Sequence, residues 1–385
     1  METSNIRLGD CVICNPSVKL DKGKEYPVID IDKITVGRKF VENKDTVIYN
    51  GQGGAKFENG DTLLARITPC LENGKMAQAR IVSKGIGSTE LFVFRGKEGV
   101  TDNEFVYYLL KQQYIRDLAA NSMSGASGRQ RADLKFIKKI KLDLPILTIQ
   151  RRIASILSTY DNLIDNNNKR IRLLMQMAEN LYKEWFIRFR FPGHETVEMV
   201  NGLPQGWKVD KVKAIVKRLP FNRTYKEEEL EKTGSVVVID QSTNDILGYH
   251  NNEPSHYADY DKPLIIFGDH SCKFQLMTQN FSLGENVIPF STYSNTAVNE
   301  YWLFYATHKL IKTEEYKRHW GRFSSMKVLI PEIGLQNKFA DIIVSLEKEK
   351  NKLKAENDNL IRQRDLLLPR LMSGKLEVSI NRITQ

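Results

Sequence analysis

Two short segments carry side chains of the kinds that grip phosphates and read bases. ARITPCLENGK (65–75) ends a β-like run and offers Arg66, Thr68, Asn73 and Lys75. SMSGASGRQRADLK (122–135) is small and glycine-rich, then basic, and offers Ser127, Arg129, Gln130 and Arg131. Lys, Arg and hydroxyl groups hold phosphate oxygens, while Arg, Lys, Asn, Gln and Ser/Thr read base edges in the major groove. A second set lies further along the chain. GDHSCKFQ (268–275) carries His270 and Lys273, PFSTYSNT (289–296) carries Thr292 and Tyr293, and YKRHWGRFSS (316–325) carries Arg318, His319 and Arg322. These sets suit double-stranded DNA. The formal charge of +10 agrees with a polyanionic partner but only weakly specifies one.

Catalytic chemistry is missing from the pattern. Gly23-Lys24, Gly74-Lys75, Gly96-Lys97 and Gly374-Lys375 all lack the Ser/Thr of a phosphate-binding loop. No Asn/Asp-Pro-Pro-aromatic tetrapeptide of an amino-methyltransferase occurs. Cys11-x-x-Cys14 has no second pair at zinc spacing, so buried or incidental thiols are expected. The six histidines form no metal set. No catalytic residue and no metal site is expected. The chain lacks an apolar h-region at its start and any run of about 18 apolar residues, and its four cysteines make no disulfide framework. A cytoplasmic protein is expected.

The elements that must position the loops repeat. At a constant offset, LDLPILTIQRRIASIL… (142 onward) matches VLIPEIGLQNKFADII… (328 onward), pairing Pro145 with Pro331 and Gln150 with Gln336. Upstream, EYPVIDIDKI (25–34) resembles GSVVVIDQST (234–243), GDTLLARITPC (60–70) resembles DKPLIIFGDHSC (261–272), and TDNEFVYYLLK (101–111) resembles AVNEYWLFYATHK (297–309). The matching framework with unlike loops suggests two sites that read different things.

After each recurrent Pro and Gln runs a long apolar-periodic helix of about 40 residues, roughly 60 Å. The seam is expected at Ile153, Ile156, Leu163, Leu174 and Leu181 in the first helix. In the second it is expected at Phe339, Ile342, Leu346, Leu353, Leu360 and Leu367, with Glu349, Glu356 and Gln363 as polar seam positions. The fold class expected is α+β. Two domains that present the loops, each a curved β-sheet with helices, stand in pseudo-twofold relation, separated by a long antiparallel two-helix coiled coil. The boundaries are 1–147 and 193–330 for the domains, 148–192 for the central helix region, and 331–385 for the distal helix and tail.

The chain resembles the specificity (S) subunit of Type I restriction-modification systems. GDTLLARITPCLENGKMAQA with STELFVF is similar to a recognition domain of that family. LPILTIQRRIASILSTYDNLIDNNNKRI and ENLYKEWFIRFRFPGHE are similar to its central conserved region, LPQGWKVDKV to the restart of its second domain, and LLPRLMSGKLEV to its distal region. IRLGDCVICN stands where an LP-x-GW start would precede the first domain. The resemblance makes the two domains target-recognition domains and implies a non-catalytic subunit that reads a split DNA target, one half-site per domain. It implies docking of two modification subunits, which use S-adenosylmethionine, and of restriction subunits, which use ATP and Mg. A stand-alone DNA-binding scaffold and a nuclease fusion are the rival expectations.

Overall fold

The computed structural model describes residues 3–126, 129–242, 244–313 and 317–377. The chain mixes helix and sheet and forms two compact units. One draws on residues up to Lys169 together with those from Leu353 onward; the other is Arg170–Lys352.

In the first unit, one sheet runs in the order Val12–Cys14, Leu91–Gly96, Thr62–Ala65, Met76–Ala79, Phe40–Val41. Its central strands are buried on both faces, so they are near-continuous apolar runs rather than alternating ones. A second sheet orders Thr46–Ile48, Glu25–Ile29, Lys84–Gly87 and Ala55–Glu58. Glu25–Ile29 and Lys84–Gly87 run parallel there, and a Cβ on Gly87 would sit 2.2 Å from the Ile29 carbonyl oxygen. Only glycine permits that approach. Thr3–Arg7 pairs with Lys141–Pro145 at the base of the first long helix.

The second unit repeats this plan. Its main sheet orders Val216–Arg218, Val287–Thr292, Leu264–Gly268, Phe274–Met277. A smaller sheet orders Gly248–His250, Val236–Ile239, Phe281–Leu283, with the last pair parallel. Lys208–Lys211 pairs with Lys327–Ile330, as Thr3–Arg7 does with Lys141–Pro145.

The matched glutamines explain how each framework is locked. Gln150 is fully buried; its Oε1 accepts from the Asp102 N–H at 2.9 Å, and its Nε2 donates to the carbonyls of Val100 and Pro145 at 2.9 and 2.8 Å. Gln336 makes the same three bonds, to the N–H of Asn299 and the carbonyls of Ala297 and Pro331, at 2.9, 3.2 and 2.8 Å. Asp102 and Asn299 are the N-caps of the buried helices Asn103–Lys111 and Glu300–Thr307. The first turn of each long helix is thereby fastened to the start of a core helix.

The long helices are Leu147–Tyr182 and Ile333–Met372. The first ends in a π-turn, Lys183–Ile187, where Trp185 and Phe186 enter an aromatic cluster with Trp207, Trp302 and Phe339. Within the first unit, parts of the two helices lie side by side and antiparallel: Asp161 meets Arg364 and Asn168 meets Asn357. Within the second, Arg170 meets Glu349 and Tyr182 meets Phe339.

The expected seam needs correction at four positions. Leu163 is 43% and Ile342 40% exposed, while Ile164 and Ile343 point inward. The inner stripe of the first helix follows Leu157, Asp161, Ile164 and Asn167, all buried, and that of the second includes Leu353, Asn357, Arg364 and Leu368. A seam anchored on the apolar residues, with Glu356 and Gln363 filling the steps between them, passes over the buried Asp161, Asn357 and Arg364 and so slips sideways. Glu356 and Gln363, expected at the seam, are exposed. Ile153 and Phe339 are fully buried; Ile156, Leu174, Leu181, Leu346, Leu360 and Leu367 are half-buried.

Asp161 and Arg364 show 2% and 1% of their side chains and form an ion pair inside the first unit. Tyr108 donates its hydroxyl to the second Asp161 oxygen at 2.5 Å. Next to it, the buried Lys39 ammonium is held by Glu104 and by the Ser158 hydroxyl. Charges so enclosed require partners on every side.

Candidate nucleic-acid interface

The two sequence segments singled out in the first unit converge at one end of its main sheet. Thr62–Ala65 leads into the 66–75 loop, and Leu91–Gly96 begins just after Glu90. Arg66 N donates to the Glu90 carbonyl at 2.9 Å, Ala132 N to the Arg66 carbonyl at 2.8 Å, and Thr68 N to the Gln130 carbonyl at 3.0 Å. Ile67 and Arg131 form a bridge. Main-chain bonds therefore bring Arg66, Thr68, Gln130 and Arg131 to one rim, with exposed Arg129 beside them. Ser127 lies outside the described residues.

The charges at this rim are arranged. The Arg66 guanidinium sits over the Phe92 ring, 4.8 Å from its centre. Its Nε and the Thr68 hydroxyl are buried without a hydrogen-bond partner among the described residues. Arg131 grips Glu90 through Nε, at 3.0 and 2.9 Å to the two carboxylate oxygens, and through Nη2 at 2.6 Å. The Arg131 hydrogen bond holds the Glu90 carboxyl below the usual carboxylate range. Glu90 was not singled out from the sequence, because nothing in its local pattern separates it from an ordinary loop acid.

The second unit builds the same junction with other residues. Register places Gly268 opposite Val287, as Ala65 lies opposite Leu91. Asp269 thus takes the place of Arg66, and its N–H donates to the Asn286 carbonyl at 2.9 Å. His319 N donates to the Asp269 carbonyl at 2.8 Å, as Ala132 does to Arg66. Asp269 Oδ1 also accepts from the N–H groups of His319 and Trp320, at 3.1 and 2.9 Å. Arg318 stands where Arg131 stands, with Nε 3.9 Å from Asp269 Oδ2. Arg322 is exposed on the short helix Trp320–Ser325, and His319 is buried at its start. His270 N donates to Gln241 Oε1 at 3.1 Å.

Other expected site residues are placed elsewhere. Lys75 Nζ donates to the Ile31 carbonyl at 3.0 Å. Lys273 Nζ donates to the Asp240 carbonyl at 3.4 Å, one position short of the counterpart of Ile31, and to that of Asn244, and burial lowers its pKa. The two lysines are thus equivalent pins between the sheets, not free rim charges. Asn73 is exposed in the turn that follows Pro69. Thr292 and Tyr293 end the strand whose other end adjoins Asn286, about 17 Å away at strand rise. Thr292 donates its hydroxyl to Glu300 at 2.6 Å, and Tyr293 is 40% exposed. An antiparallel strand cannot bring both its ends to one rim, which is why this hydroxyl-rich segment separates from the others.

Cys11 and Cys14 are free, and burial pushes both thiols up to about 11. Among the described residues, no cluster of three or more metal-ligating side chains occurs, and no helix is long and apolar enough to cross a membrane.

Residues 6–176 match the family model described as Type I restriction modification DNA specificity domain. That stretch is similar to a domain of that class. Over 311 residues it is 24% identical to the Type I restriction enzyme MjaIX specificity subunit of Methanocaldococcus jannaschii, covering 73% of this chain and 71% of that one. Over 223 residues it is 27% identical to the MjaVIII specificity subunit of the same organism, covering 55% of this chain and 48% of that one. The solved S subunit of a Type I restriction-modification system from M. genitalium shares the fold, at a TM-score of 0.57 and 17% identity over 96% of each chain. The chain is thus similar to specificity subunits of Type I restriction-modification systems, in sequence over residues 6–176 and in fold over nearly its whole length.

Proposed function

We propose that this chain is the non-catalytic DNA-reading subunit of a Type I restriction-modification complex. It binds a bipartite double-stranded target, with residues 1–147 reading one half-site and 193–330 the other. The long helices act as a coiled-coil spacer between two pseudo-twofold-related domains, so the half-sites are separated by about one helical turn. The same helices dock two adenine-methylating subunits that bind S-adenosylmethionine, and restriction subunits with ATP and Mg join that complex. Chemistry on a stacked base belongs to those partners, since it requires flipping the base out.

One observation carries this reading. The two units repeat sheet order, glutamine lock and lysine pin, yet place different side chains on the same rim. Arg66 and Arg131 with Glu90 face one way of reading DNA; Asp269 and Arg318 with Asn286 face another. A duplicated scaffold with unlike rims fits an asymmetric target.

The test is co-expression of the full chain with its modification subunit, followed by genome-wide mapping of methylated adenine. A bipartite motif with an unread spacer is expected. Methylation without sequence preference, or methylation or cleavage by the purified chain alone with S-adenosylmethionine and Mg²⁺, would overturn the reading.

A further inference from the structure

The rim arginine of each unit is paired with a carboxylate, but the two carboxylates come from different framework positions. In the first unit the acid is Glu90, just before the strand Leu91–Gly96. In the second it is Asp269, at the place Arg66 occupies in the first, while Glu90's place is taken by Asn286. Two main-chain bonds around them recur: Arg66 N to the Glu90 carbonyl matches Asp269 N to that of Asn286, and Ala132 N to the Arg66 carbonyl matches His319 N to that of Asp269. The Arg–acid pair is therefore not an inherited framework contact, because it arises on divergent residues at one functional spot.

The geometry says what the pair does. A guanidinium has five donors in a planar fork. Glu90 takes the Nε and Nη2 edge of Arg131, and Asp269 lies on the Nε side of Arg318. Each carboxylate is itself held: Glu90 by that fork, Asp269 by the N–H groups of His319 and Trp320. On the Nη1 side Arg131 makes only a 3.5 Å donation to the Arg129 carbonyl, and the side chains of Arg131 and Arg318 are 44% and 82% exposed, so an Nη1–Nη2 edge of the kind that matches O6 and N7 of guanine stays accessible.

Resting on the DNA-reading role above, we propose that Glu90 and Asp269 are specificity-determining positioning residues. Each aims the outer guanidinium edge of its rim arginine at a base, so that arginine and acid read as one unit.

Full-length variants are co-expressed with the modification subunit, checked for folding by thermal unfolding, and their methylated adenines mapped. Arg131→Ala and Arg318→Ala first assign one base position each. Glu90→Gln should relax the Arg131 position alone, with discrimination falling on the order of ten-fold, and leave the other half-site and the spacer unchanged. Arg131→Lys keeps the charge but not the fork, and should relax the same position. Asp269→Asn retains an acceptor for His319 and Trp320 and should act at the Arg318 position, which keeps the test open if a Glu90 variant fails to fold. Unchanged motifs in folded acid variants overturn the proposal. So does binding tightened equally for all sequences, which would make the acids competitors of DNA. A wild-type complex without a bipartite motif instead overturns the DNA-reading role itself.

Discussion

Replacing Gln150 or Gln336 with Leu keeps the volume of a buried side chain while deleting all three of its hydrogen bonds. The N–H of Asp102 or Asn299 is left without its acceptor, at a cost of about 1–3 kcal/mol for a buried orphan. Two carbonyls each lose a donor, for about 0.5–1.5 kcal/mol apiece. The sum is about 2–6 kcal/mol, a large part of the 5–15 kcal/mol that typically holds a domain. Because the two locks are equivalent, Gln150→Leu and Gln336→Leu should destabilise their own units by amounts agreeing within about 1 kcal/mol. Denaturant titration gives the magnitude. Hydrogen exchange locates it, with the Asp102 amide accelerated in one variant and the Asn299 amide in the other. A loss under about 1 kcal/mol in either variant, or acceleration in the wrong unit, would refute the claim that the repeat is mechanical.

Arg364→Met strands Asp161 in the interior and should cost about 3–5 kcal/mol; Asp161→Leu with Arg364→Met should recover most of it in a denaturant double-mutant cycle, and additive losses would contradict the pairing. Burial raises the Glu179 pKa, but Lys309 and His308 more than offset it and the net is lowered. Its stabilisation is therefore present above the ordinary 4.5 and lost as pH falls below that value; Glu179→Gln should flatten this acid limb of the stability curve. Arg131→Ala should weaken DNA binding and make the log K against log salt slope shallower by about one unit if the side chain also meets a phosphate. Inserting four helical residues after Lys169 and four after Lys352 should lengthen the unread spacer by about two base pairs, with half-site bases unchanged in the methylation map.

Much of the architecture was legible because it is periodic or repeated. TLLA, LFVF, VVVI and LIIF read as strands from their apolar, β-branched and aromatic runs, and Gln150 and Gln336 stood out by recurrence. The rim loops were found by type: Arg66, Gln130 and Arg131 do converge. What escaped was set by tertiary placement. Lys75 and Lys273 read as free cations, yet each is fixed by a carbonyl distant in sequence. Thr292 looked like a companion of His270 until strand direction put it at the far end. Glu90 became visible only once Arg131 lay across it, and the seam shifted because charged Asp161 and Arg364 occupy positions that hydrophobic patterning assigns to leucines.

The first unit takes its last helical stretch from beyond Leu353, and the Asp161–Arg364 pair spans 203 positions of chain. The second unit is continuous from Arg170 to Lys352. During synthesis, then, the segment translated first cannot be the one finished first. Up to the emergence of Leu368 and Leu371, the apolar face around Ile153 and Leu157 lacks its cover and Asp161 lacks its counter-charge. The middle of the chain has all its parts by then. The nascent protein closes from the inside out, and the first unit is exposed to proteases and chaperones for the whole time the ribosome needs to build the second.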